Sequence, residues 1–238
     1  MNLYVVGSEQ TYYFQQLKAV LLEMGLPSAE NLHHIPFGLI TVNGKKLSTR
    51  SGRIMLLDQV LEDAIDLAKK QIEAKNPDLP NKDEVAKEVG VGAIIFGDLK
   101  NERTNNIDFV LEDQLRFEGE TGPYVQYSHA RAESILRKAG DIDLHGADKR
   151  LDDPAAWETV TALKDFPTVI ESACKDFEPS EVAKYALRLA KAFNKYYAHS
   201  KILVEDDQLG ARLSLVKAVS IVLKESLNLL GVKAPDAM

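Results

Sequence analysis

The segment Gly44-Lys45-Lys46-Leu47-Ser48-Thr49-Arg50-Ser51-Gly52-Arg53 gathers four cationic side chains among glycines and hydroxyls. Glycine lets backbone N–H groups approach an anion closely, and hydroxyls add short-range donors. Lys and Arg supply charge that counts for more as a polyphosphate leaving group develops. The composition suits a loop that grips phosphate, and it equally suits a solvated basic turn. The Gly-x4-Gly-Lys-Ser/Thr phosphate-loop spacing is absent. A second set is Tyr124, Tyr127 and Arg131, at i, i+3 and i+7, which fall within about 60° of one another on a helix. Two phenols and a guanidinium on one face can stack on unpaired bases and hold a phosphate. Interior tyrosines beside a surface arginine is the plainer alternative.

Positioning those groups requires a particular order of elements. Residues 3–6 are a continuous apolar run, Gln15 to Met24 carries apolar residues at helical spacing, and Leu39-Ile40-Thr41-Val42 is a second short run. Strand, helix, strand predicts a parallel α/β unit with its loops beyond the strand ends. Leu61, Ile65, Ala68 and Ile72 then predict a helix ending before Asn76-Pro77, and Asp83 is expected to cap the next. Ile107, Phe109 and Leu111 alternate as in an extended piece. Thr121-Gly122-Pro123 opens a helix whose stripe is Val125, His129, Ala132 and Leu136. Asp153-Pro154 starts another, interrupted at Pro167. Pro179 starts what reads as the longest, with Val182, Ala186, Leu189, Phe193 and Tyr196 inward and Asn194, Tyr197 and Lys201 on a neighbouring face. A final helix stops at Gly231. The expected fold is mainly α with a small α/β part: a partial Rossmann-like nucleotide fold followed by a helical bundle.

Composition sets the limits. The 238 residues are 45% hydrophobic and 27% charged, ordinary for a globular chain. No apolar run approaches the roughly 20 residues of a spanning helix, and the first residues resemble a strand more than a secretion signal, so a cytoplasmic protein is expected. Cys174 is the single cysteine and the histidines show no i, i+4 pairing, so no protein-bound metal is expected. The net charge of -7 is unevenly spread, with excesses of +2, +2 and +3 over residues 1–57, 121–140 and 179–238 separated by acidic blocks. That pattern can focus a polyanion on chosen faces, although mixed helical surfaces also produce it.

Several stretches together are more specific. Tyr4-Val5-Val6-Gly7-Ser8-Glu9-Gln10, His34-Ile35-Pro36-Phe37-Gly38, Gly44 to Arg50, Val91 to Lys100, Gly122 to Arg131 and Pro235-Asp236-Ala237-Met238 run in the order found in arginyl-tRNA synthetases. The chain resembles the C-terminal portion of that class I family. The resemblance implies that Lys46-Leu47-Ser48-Thr49 stands at the Lys-Met-Ser-Lys signature, with Arg50 or Lys45 replacing part of the lost charge. Lys46, Ser48 and Arg50 would be catalytic. ATP would be held by His34, Phe37 and Gly38, in a turn, with Lys45, Lys46, Leu47 and Ser48. Gln10 would touch arginine. The bundle would bind the anticodon of tRNA-Arg through Tyr124, Tyr127, Arg131, Tyr197 and Met238, and Mg2+ would accompany ATP. The family's His-x-Gly-His signature is absent, and a truncated chain, a broken gene or one piece of a split enzyme with an N-terminal synthetase half as partner each fit that absence; a non-catalytic tRNA-binding module is the alternative. The expected division is 1–75 catalytic part, 76–120 helical connector and 121–238 anticodon-binding bundle.

Overall fold

The computed structural model describes residues 1–42, 44–46, 55–140, 147 and 149–238, and the described residues form two units. The first comprises 1–54 with 101–110, the second 55–100 with 111–238.

In the first unit β1 (Asn2–Gly7) pairs in parallel with β2 (Leu32–Phe37), from Asn2 opposite Leu32 to Gly7 opposite Phe37. Helix α1 (Thr11–Glu23) makes the crossover, as parallel pairing demands. Its Phe14 is buried, stacks on His34 with ring centroids 4.5 Å apart, and meets Tyr4 at 5.2 Å. The Lys18 ammonium donates to the carbonyls of Glu30 and Leu32, fastening the helix to the start of β2.

This corrects the expected strand order. The partner of β1 is Leu32–Phe37, so His34 and Phe37 are strand residues and not part of a turn. Two histidines and Pro36 conceal the strand's apolar signal, and proline is tolerated because β2 lies at a sheet edge. The run at Ile40–Val42 is β3 of a separate sheet, between antiparallel β4 (Lys45–Lys46) and parallel β5 (Ile107–Asp108). The extended piece stops there, and Leu111 already begins helix α4 (Leu111–Gln114). Residues 101–110 are stitched to the first unit by Gly38 N–H to the Arg103 carbonyl (2.7 Å), Leu39 N–H to Asn106 Oδ1 (2.8 Å) and Phe109 N–H to the Thr41 carbonyl (2.8 Å). Gly38 is needed at this crossing, since a Cβ there would lie 2.2 Å from the Asn105 carbonyl oxygen.

The second unit begins with α2 (Leu57–Lys75) and α3 (Lys82–Leu99), which pack through Ala64, Ala68 and Ile72 against Val85, Val89 and Ala93. Asn81 in a left-handed conformation, not Asp83, precedes α3; Asp83 instead pairs with Lys69 of α2 at 2.6 Å. Helix α5 (Gly122–Ala139) starts as expected, with Thr121 Oγ1 accepting from Tyr124 N–H, and α6 (Pro154–Lys164) starts with Asp153 Oδ1 accepting from Ala155 N–H. Helices α7 (Phe166–Asp176), α8 (Ser180–His199) and α9 (Leu209–Leu229) complete the bundle, α9 being longer than α8 by one residue. Val125, Leu189, Phe193, Val216, Leu223 and Leu227 are fully buried in one core. Gly231, at φ +75°, turns the chain out of α9, and the last residues fold back onto the unit. The molecule is mostly helical with a small sheet, as expected.

Candidate functional site

Helices α5 and α8 pack side by side, and five side chains meet across them. The Arg131 guanidinium carbon lies 4.8 Å from the Tyr127 ring centroid and 4.8 Å from the Tyr197 ring centroid. Arg131 Nη1 donates to Asn194 Oδ1; Asn194 Nδ2 donates to Ser128 Oγ (2.7 Å), which donates to the Tyr124 carbonyl (2.8 Å). Two ring faces and a side-chain amide therefore hold the guanidinium in place, with one of its five donors spent on Asn194. Tyr127 and Tyr197 remain 38% and 44% exposed, so each phenol keeps surface open to a ligand. Tyr124 is half-buried against the bundle core.

The row extends further than sequence spacing indicated. Phe117 meets the Tyr127 ring edge-on at 6.3 Å, and the Lys75 ammonium lies 4.5 Å above the Phe117 ring. Phe117 sits in a turn and Lys75 at a helix end, so no periodicity marks either. Met238 is half-buried against the α2–α3 core, and its carbonyl oxygen accepts from Asn76 Nδ2 at 3.2 Å. Adjacent tyrosines of α8 diverge. Tyr197 faces outward, while Tyr196 is 1% exposed, its phenol pushed up to about 12 by burial.

In the first unit, the register brings the ends of β1 and β2 together, so Gln10 and Gly38 follow the same carboxyl edge, where parallel sheets bind ligands. Gln10 and Phe37 are exposed. His34 stacks on Phe14 and lies 3.0 Å from the Val6 carbonyl through Nε2, so its ring is engaged in the packing of the sheet. The hairpin that leads to the basic stretch is held by Asp108, whose Oδ1 accepts from Gly44 N–H and Thr41 Oγ1, each at 2.9 Å. Lys45 is exposed on β4. The Lys46 side chain, Leu47, Ser48, Thr49, Arg50 and Arg53 lie outside the described residues.

The strand–helix–strand unit at the start of the chain and the helical bundle that follows it each match a family model. Residues 1–111 match the catalytic domain of class I tRNA synthetases (R), and residues 125–238 match the DALR anticodon binding domain. The chain is 73% identical over 237 residues to arginine–tRNA ligase of Levilactobacillus brevis and 68% identical to that of Lactiplantibacillus plantarum, in each case covering 100% of this chain and 42% of the relative. It superposes on Thermus thermophilus arginyl-tRNA synthetase with a TM-score of 0.90 at 37% identity, covering 99% of this chain and 41% of that one. The chain belongs to the arginyl-tRNA synthetase family and spans about two fifths of the length of these relatives, with part of the catalytic domain and the anticodon-binding domain.

Proposed function

We propose that this chain supplies the tRNA-reading bundle and the pyrophosphate-stabilising loop of an arginine–tRNA ligase. The observation that carries this reading is Arg131 clamped between Tyr127 and Tyr197, a preformed platform of two stacking faces around a fixed cation. Unpaired anticodon bases stack on such rings, and the guanidinium holds phosphate. Tyr124 and Met238 also touch the anticodon loop in this reading, and tRNA-Arg is the partner. In this reading residues 1–75 are the catalytic part, 76–120 the connector and 121–238 the anticodon-binding bundle.

The chemical role falls to Lys46, Ser48 and Arg50, with Lys45 and Leu47 beside them, acting on the phosphates of ATP. Charge placed where pyrophosphate departs lowers the barrier by electrostatics and positioning. His34, Phe37 and Gly38 border the adenosine and Gln10 the arginine substrate, with Mg2+ arriving on the nucleotide's phosphate oxygens. An N-terminal synthetase half completes the pocket, and without it the chain binds tRNA and does not activate arginine. Among the described residues no helix is long and apolar enough to cross a membrane, and the reading places the protein in the cytoplasm.

Tyr127→Ala is expected to weaken tRNA-Arg binding by about 1–3 kcal/mol, the loss of one base stack, with an unchanged melting temperature. Unchanged affinity, measured by fluorescence anisotropy at fixed salt, would refute the platform. Arginine-dependent pyrophosphate exchange by this chain alone would refute the requirement for a second half.

A further inference from the structure

Residues 232–238 are fastened to the second unit at successive points. The Lys233 carbonyl accepts from Gln126 Nε2 (2.8 Å), the Asp236 carbonyl from Arg137 Nη1 (2.9 Å) and the Met238 carbonyl from Asn76 Nδ2 (3.2 Å). Between them, Asp236 Oδ1 lies 3.3 Å from His129 Nε2 and 3.4 Å from the Lys224 ammonium. These partners are unequal. The His129 side chain has no exposed surface, whereas the Asp236 side chain is 61% exposed, so a buried ring reaches out to a surface carboxylate. The other ring nitrogen lies 3.2 Å from the Ser220 carbonyl of α9, so turning the imidazole disturbs both contacts at once. In the tautomer with the proton on Nε2 the neutral ring donates to Asp236, and its Nδ1 faces Ser220, whose hydroxyl lies 3.4 Å away; the Lys224 ammonium, by contrast, is half exposed on a flexible stem.

The tail held in this way ends against the same α2–α3 core that Phe117 packs on. Asn76, which holds Met238, follows Lys75, which overlies Phe117; Phe117 and Met238 pack against the same α2–α3 core. One helix, α5, therefore carries both sets of groups: Gln126 and His129 hold the tail, and Tyr127 and Arg131 form the platform.

We propose that His129 is a positioning residue that holds the 232–238 tail through Asp236, and so sets Met238 beside the Phe117–Tyr127 end of the RNA-reading surface. The inference rests on the proposed tRNA-binding role for what the tail serves, and on geometry alone for how the tail is held. Replacing His129 opens a cavity at a fully buried position, so the decisive variants are at Asp236. Asp236→Ala removes the acceptor, while Asp236→Asn keeps an oxygen that still accepts from His129.

The experiment combines hydrogen exchange of residues 233–238, measured by mass spectrometry on the full chain, with anisotropy titration of a tRNA-Arg transcript. Asp236→Ala is expected to speed tail exchange about tenfold or more and to weaken tRNA binding about three- to tenfold, leaving exchange in α8 and α9 unchanged. Asp236→Asn is expected to remain near wild type in both. Wild-type tail exchange in Asp236→Ala would overturn the proposal. So would a released tail with unaltered tRNA affinity, and so would an Asn variant as damaged as the Ala variant, which would assign the hold to the carboxylate charge and Lys224. Failure of the wild-type chain to bind tRNA would overturn the proposed function and the tail's RNA role together; the exchange rates still decide whether His129 holds the tail.

Discussion

In the helical unit Phe193, Leu189, Leu223 and Leu227 have no exposed surface, while in the first unit Leu3, Val5, Tyr12 and Val20 are 45–70% exposed. Both contain apolar runs of similar strength, so composition does not separate them. Geometry does. Amphipathic helices close around one another and need nothing further, whereas a two-stranded parallel sheet with one crossover helix has two edges and an uncovered face. The helical unit is thus stabilised by its own core. The proposed chemical part needs cover for its sheet, which is the physical side of the proposed requirement for an N-terminal half.

Amide hydrogen exchange sharpens that contrast most. Amides of α8 and α9 are expected to exchange only through global opening, and those of β1 and β2 through local opening cheaper by on the order of 5 kcal/mol. Equal protection in the two units would break the comparison, and protection of β1 rising on addition of an N-terminal half would sharpen it. Next in size is a pair of substitutions. Phe193→Ala should destabilise by about 3–5 kcal/mol through the cavity it opens. Val5→Ser, at a strand position 65% exposed, should stay within about 0.5 kcal/mol in this chain. Denaturant titrations that rank the two the other way would place the main core in the wrong unit.

Gly90→Ala probes how closely the helical unit is closed. A Cβ at Gly90 would lie 2.7 Å from the Ile65 backbone nitrogen and 2.8 Å from its Cα, so the methyl meets backbone that cannot rotate away. Separating α2 from α3 is expected to cost about 1–3 kcal/mol, despite alanine's better helix propensity. A stabilised Gly90→Ala variant, read as a raised melting temperature, would mean the two helices are not in backbone contact.

What the sequence disclosed follows the same division. The helical unit is read well because its signals are local: Thr121 before Gly122-Pro123, the stripe Val125, His129, Ala132 and Leu136, and the outward Tyr197 beside an inward Tyr196 all follow from spacing. The resemblance added Met238, which spacing alone did not single out as a ligand. The first unit is read poorly because its pairing is non-local. Nothing in His33-His34-Ile35-Pro36 announces a strand, and β5 acquires meaning only by lying against β3, across more than sixty residues. Lys75 and Phe117 escape for the same reason, since their contact depends on a turn and a helix end meeting in space. The cap at Asn81 is missed because a left-handed asparagine there outweighs the acidic residue two positions on.

The smallest expected effect lies at the point where tail and bundle meet. Burial holds the His129 pKa below its ordinary 6.5, against the Asp236 hydrogen bond and the Glu133 and Asp236 charges, which raise it; the Lys224 charge acts with burial. Between the folded value and 6.5 the unfolded chain binds more protons at this residue than the folded one, so folding is opposed as protons are added. The contribution is therefore complete above about pH 6.5 and is lost as pH falls toward the folded value, the reverse of a histidine whose pKa a carboxylate raises. Melting temperatures at about pH 7.5 and about pH 5.5 should differ more for the wild type than for His129→Gln, which cannot titrate there. Equal slopes would show that other groups, such as the buried-shifted Glu88 of α3, set the acid response, and that His129 meets Asp236 without a net change in its proton affinity.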